Sequence, residues 1–215
     1  MLRFFLTLLF LFTLTSQAHG EWSFELSGGA AYSFPTPLRF HQDGEKDISV
    51  NARYSGRPFV TAGEAPYYGW RIGRWKGDRA WELEWLHHKL SLSNRPDTVQ
   101  RFEILNGFNL LMMNRALQYQ GVIYRFGGGM VLTFPYSTVR AKEHSTEGGI
   151  LDSGYYLSGV TLQVSAGKRF FFSEKVFLAL EAKCTTSYAR VPIEDGHADV
   201  TNAALHGSLG LGVLF

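Results

Sequence analysis

Apolar and polar residues alternate along most of the chain, and the alternation breaks at turn-like segments. Near its end, Leu209, Leu211, Val213 and Phe215 occupy every second position. Successive side chains of a strand point to opposite sides, so this segment predicts a strand with one apolar face. A long apolar strand with a free edge templates aggregation. The edge is safe where the sheet closes on itself and lipid covers the outside. The breaks between alternating segments differ in length. Lys76-Gly77-Asp78, Ser173-Glu174-Lys175 and 114–118 are brief, whereas 35–64, 93–99, 136–154 and 192–202 are longer. Short turns alternating with long loops mark a transmembrane barrel. The pattern predicts eight strands, over 22–34, 65–75, 79–92, 100–113, 119–135, 156–172, 176–191 and 203–215. An even number puts both ends of the barrel on the periplasmic side.

One more segment competes. Ile48, Val50, Ala52 and Tyr54 also alternate. They read as one arm of a hairpin rising inside the first long loop. Two membrane-crossing arms would make ten strands, but the breaks at 56–58 and 63–66 leave little room for a further crossing of about 9–11 residues. The expected fold class is therefore all-β: a closed, antiparallel, up-and-down transmembrane barrel of eight strands, with ten as the alternative.

The start of the chain agrees with export. Met1-Leu2-Arg3 is cationic, and residues 4–14 form an apolar run too short for a spanning helix, which needs about 20 residues. Ser16-x-Ala18 and Ala18-x-Gly20 fit a small-x-small cleavage site. Residues 1–20 read as a secretory signal peptide and 21–215 as one outer-membrane barrel domain. No cysteine lies near the cleavage site, so no lipoprotein anchor is expected. The single cysteine, Cys184, forms no intramolecular disulfide and reads as an apolar filler. Aromatics make up 15% of the chain and glycines number 23, which suits interface girdles and close strand crossings. The formal charge of +2 comes without a basic run, so nucleic-acid binding has no electrostatic footprint.

Parity then separates a lipid face from a lumen face. With Phe215 outward, His206 and Ser208 turn inward. Trp81, Leu83 and Trp85 face lipid, so Glu82, Glu84 and His88 face in. Phe102, Ile104, Phe108, Leu110 and Met112 are placed on lipid, which turns Glu103 and Asn109 inward. The remaining strands add Glu25, Arg71, Arg125, Arg169, Glu181 and Lys183 to the lumen. Five acids then meet four bases. Buried charges must be paired to be tolerated, and an eight-stranded barrel is just wide enough for side chains to fill. The set therefore reads as a charge plug, with a relay of Glu84, His88 and Glu103 as the functional alternative. Two aromatic belts are expected: Trp22, Phe24, Trp75, Trp81, Phe170, Phe177 and Phe215 at one level, and Tyr32, Phe34, Tyr67, Tyr68, Phe134, Tyr136, Tyr155 and Tyr156 at the other.

Ser208, Gly210, Val213 and Phe215 fill the pattern polar-x-Gly-x-x-apolar-x-aromatic. That pattern resembles the terminal assembly signal of Gram-negative outer-membrane barrels. The whole mature chain resembles the small barrels of the OmpA/OmpX size class, which implies contact with outer-membrane lipid and lipopolysaccharide, the barrel-assembly machinery during biogenesis, and a monomer. His206-Gly207-Ser208 also resembles the His-x-Ser pair of lipid A deacylase barrels, which implies acyl-ester hydrolysis with His206 and Ser208 catalytic. Leu209 stands where that family has Asn, the pair lies on the last strand, and parity turns it inward. No motif asks for a cofactor or a metal ion. His87 and His88 point to opposite faces and cannot ligate one ion together, and Gly127-Gly128-Gly129 precedes no helix, so it is not a phosphate loop but a site of bending or close packing. The expected function is an envelope or surface-interaction barrel acting through its loops. A lipid A-modifying enzyme and a narrow channel are the rivals.

Overall fold

The computed structural model describes residues 21–55, 66–144 and 148–215. The signal-peptide segment 1–20, and most of the breaks at 56–58 and 63–66, lie outside the described residues. The strands are β1 (Glu21–Ser33), β2 (Thr36–Gln42), β3 (Ile48–Ala52), β4 (Tyr68–Lys76), β5 (Arg79–Ser91), β6 (Val99–Tyr119), β7 (Val122–Thr133), β8 (Tyr136–Val139), β9 (Lys142–Glu143), β10 (Tyr156–Phe171), β11 (Val176–Ile193) and β12 (Gly196–Leu214). Eight of them close an antiparallel ring in the order β1-β4-β5-β6-β7-β10-β11-β12. β12 returns to β1 from Ser23↔Leu214 to Ser33↔Ala204, and Trp22 and Phe215 exchange backbone hydrogen bonds at 2.8 Å. Closure leaves the apolar terminal strand no free edge in the ring.

The segment around Ile48 is a hairpin arm, as its alternation implies. β2 and β3 pair with each other, and β2 adds to β12 above the ring. β12 has 19 residues, whereas a barrel crossing needs about 9–11. The sheet β11-β12-β2-β3 therefore stands clear of the bilayer at the loop end. The break expected at 192–202 is instead a two-residue turn, Glu194-Asp195, because Val191, Ile193, Ala198 and Val200 continue the buried alternation. The short turn expected at 114–118 falls at Gln120-Gly121, with φ of 49° and 78°. A two-residue hairpin turn with both central φ positive fits Gln-Gly, whereas 114–118 has no glycine to ease it.

Parity holds around the ring except on β6. There Phe102, Ile104, Phe108, Leu110 and Met112 are buried in the lumen, and Met113, Leu117 and Tyr119 face lipid. Both faces of β6 are apolar because the loop-end half of the lumen is itself apolar, so alternation alone assigns no side. Asn109 consequently lies on the outer side, against His87. The aromatic belts change as well, because Trp75 shares the inward parity of Arg71 and Phe177 that of Glu181. Trp75 and Phe177 point inward and floor the lumen, and Tyr67 points inward near its middle. Phe177 lies over Gly212, which faces it across the strands and leaves room for its ring. Gly127 and Gly129 allow β7 to approach β6, since a Cβ at Gly129 would overlap the Leu111 carbonyl and sit 2.7 Å from Met112 Cα.

The lumen is layered. Trp75, Ala80, Ala116, Ile123, Phe177 and Leu214 close the turn end. Charged residues fill the next layer, a histidine layer follows, and a core including Leu38, Phe40, Leu90, Phe102, Ile104 and Phe108 fills the loop end.

Candidate functional site in the lumen

Arg71 is the hub of the charged layer. Its Nη1 donates to Glu25 Oε1 at 3.3 Å, and its Nη2 donates to Glu84 Oε1 at 3.0 Å and Glu181 Oε1 at 2.9 Å. The hub arises from register: Arg71 sits directly between Glu25 on β1 and Glu84 on β5. Arg125 grips Glu82 with two nitrogens, at 2.7 and 3.3 Å, and Glu181 Oε2 at 2.7 Å. Lys183 pairs with Glu84, and with Glu181 at 3.1 Å. Asn114 and Gln163 donate to the free oxygen of Glu84 at 2.7 and 3.2 Å. Arg169 is held differently: its guanidinium lies 4.9 Å from the Trp75 ring and 4.2 Å from the Phe177 ring. Its nearest carboxylates, Glu25 and Glu82, are 3.8 and 3.9 Å away. Four acids meet four bases, and every one of these side chains is under 10% exposed. Multiple ion pairs and the amides of Asn114 and Gln163 offset the cost of removing such charges from water.

Above lies the histidine layer. The Tyr67 hydroxyl is 2.9 Å from His206 Nδ1, and the Thr185 hydroxyl is 2.8 Å from His206 Nε2. His88 packs edge-on against His206 with centroids 5.2 Å apart, and its Nε2 lies 3.3 Å from the Ser33 hydroxyl. Asn202 donates to the same hydroxyl at 3.0 Å.

Above the bilayer the loops are tied together. Arg140 donates to Gln42 Oε1 at 2.8 Å and to the Lys46 carbonyl at 2.6 Å, and Lys142 donates to Asp195 at 2.7 Å. The hydrogen bond and charge of Asp195 hold Lys142 above the usual lysine range. Asn94 bridges the first two loops, accepting from the Arg53 amide and donating to the Asn51 carbonyl. On Asp199, partial burial pushes the carboxyl up, but hydrogen bonds from Tyr188 and Arg190 outweigh it and leave it below the usual range.

Solved structures share this architecture. The outer membrane protein AlkL, determined by solid-state NMR in DMPC bilayers, aligns over 95% of each chain at 12% identity with a TM-score of 0.51. The chain has the fold of a small outer-membrane β-barrel. Ail, the attachment invasion locus protein of Yersinia pestis, covers 92% of this chain and 100% of its own at 12% identity and a TM-score of 0.44. Neisserial surface protein A covers 92% and 98% at 10% identity and a TM-score of 0.42. No protein-family model and no curated protein matches the sequence.

Within this barrel, Glu25, Arg71, Glu82, Glu84, Arg125, Arg169, Glu181 and Lys183 come together as one network. Glu103 lies outside it. The reversed parity of β6 puts Glu103 on the outer side near the loop end, where Arg101 donates to it at 2.9 Å. With Glu103 removed, the relay of Glu84, His88 and Glu103 has no geometry, and the network balances in charge. His88 faces the lumen but belongs to the histidine layer. Both ring nitrogens of His206 are taken by Tyr67 and Thr185, and neither contacts Ser208. Along the terminal strand Ser208 and Gly210 face the lumen, and Val213 and Phe215 face outward. Gln163 faces the lumen as the alternation of its strand predicts, whereas Asn114, Tyr67 and Thr185 are lumen partners that alternation did not single out. Asn114 falls in the turn expected at 114–118, but β6 runs on to Tyr119 and gives Asn114 the inward parity of Met112.

Proposed function

We propose that this barrel is a closed membrane anchor that displays a rigid β-platform at the cell surface of a Gram-negative bacterium, in an envelope or surface-interaction role. The observation that carries this reading is that the lumen is filled along its length, by ion pairs below and apolar rings above, while the sheet continues past the bilayer. The loops are the part left to meet lipopolysaccharide or a partner. Export through a cleaved signal peptide, folding by the barrel-assembly machinery and a monomeric state fit the same reading. The partners of His206 argue against acyl-ester hydrolysis, because a base already engaged by Tyr67 and Thr185 has no free nitrogen for Ser208.

The experiment is complementation with a trimmed barrel lacking residues 37–51 and the upper β11–β12 hairpin. Insertion is verified by surface labelling, and surface binding and detergent resistance are scored. The trimmed barrel is expected to insert and to lose the phenotype of the full chain; full complementation would overturn the proposal. Mass spectrometry of lipid A is expected to show the same acyl pattern with and without the protein. Loss of an acyl chain that disappears in Ser208→Ala would restore the hydrolase.

A further inference from the structure

We infer that His41, His197 and Asp199 form a binding site for a divalent ion of the zinc class on the outer face of the loop-end sheet. His41 and His197 face each other across β2 and β12, and Asp199 follows two residues later on the same face. The two imidazoles stack with centroids 4.8 Å apart at 28°. One ligating atom from each of the three residues lies within 4.8 Å of the others. A tetrahedral zinc ion with bonds of about 2.0–2.1 Å places its ligands about 3.3 Å apart. His41 Nε2 and Asp199 Oδ2 are already 3.2 Å apart, so the half-exposed His197 ring supplies the remaining movement. Two imidazoles and a carboxylate suit zinc or copper better than magnesium or calcium, and they leave one position open.

The surroundings are built as a metal site's outer shell is. Asp47 Oδ1 lies 2.9 Å from His41 Nδ1, the carboxylate–histidine arrangement that leaves Nε2 free to ligate. Tyr188 donates to Asp199 Oδ1 at 2.7 Å and Arg190 does so at 3.2 Å, which orients Oδ2 toward His41. Arg39 sits opposite Asp199 in the register, and its charge with that of Arg190 moderates the affinity. An ion here would join the first-loop hairpin to the β11–β12 hairpin. The competing arrangement is an imidazolium of His41 clamped between Asp47 and Asp199 without any metal.

Calorimetric titration of the refolded full barrel in detergent with zinc chloride decides between them, with circular dichroism verifying each variant's fold. The site predicts saturable one-to-one binding and zinc-dependent protection of the Lys46 bond from trypsin. Affinity is expected to fall at least about tenfold in His41→Ala and His197→Ala and about tenfold in Asp47→Asn, and to be unchanged in His144→Ala, on a different loop. Absence of saturable binding, or equal binding by a His41→Ala/His197→Ala double variant, would overturn the assignment.

Discussion

The two halves of the lumen solve one problem by opposite means. At the turn end, eight ionised groups fill the interior and neutralise one another. At the loop end, Phe40 and Phe102 pack edge to face at 5.0 Å within an aliphatic core. Both halves fill the interior with buried side chains. They differ in what a single defect does. Deleting one ion leaves its partners charged in a low-dielectric space, a penalty that spreads through the network. Deleting one ring leaves a cavity that neighbours partly fill. The charged half is thus highly specific in register, whereas the apolar half is tolerant and continues into the sheet above the membrane.

The largest effect is expected at the hub. Arg71→Ala takes one partner from each of Glu25, Glu84 and Glu181, leaves the network one positive charge short, and should cost about 3–5 kcal/mol, measured by urea unfolding in lipid vesicles. Phe40→Ala tests the other half. It should cost about 3 kcal/mol and act locally, opening the loop-end sheet to protease while the ring stays folded. A uniform loss of the whole barrel in Phe40→Ala would erase the contrast between the halves. The smallest effect is expected at Arg169, which is held by rings more than by carboxylates. Arg169→Ala should cost about 1–2 kcal/mol, clearly less than Arg71→Ala in the same unfolding assay.

The halves also differ in how legible they are in the sequence. Trp81, Glu82, Leu83, Glu84 and Trp85 alternate apolar with charged side chains, so the charged half declares its inner face. β6 does not, since Leu110 and Met112 inside match Leu111 and Met113 outside in polarity. Asn109 and Glu103 then pulled the assignment the wrong way. By residue type a strand-end aromatic such as Trp75 or Phe177 fits a membrane girdle and a lumen floor equally well, and the parity of Arg71 and Glu181 on the same strands, with the small residues opposite, Ala80 and Gly212, separates the two. The union of β2 with β12 joins residues about 150 positions apart, and no local pattern encodes it. The same pairing sets His41 beside His197, which hid that cluster from a reading along the chain.

The central claim is that both fillings close the barrel. Planar-bilayer recording of the purified wild-type protein tests it directly. The closed lumen predicts a quiet baseline without steady current steps. Steady, sizeable single-channel currents from the wild-type barrel would contradict it.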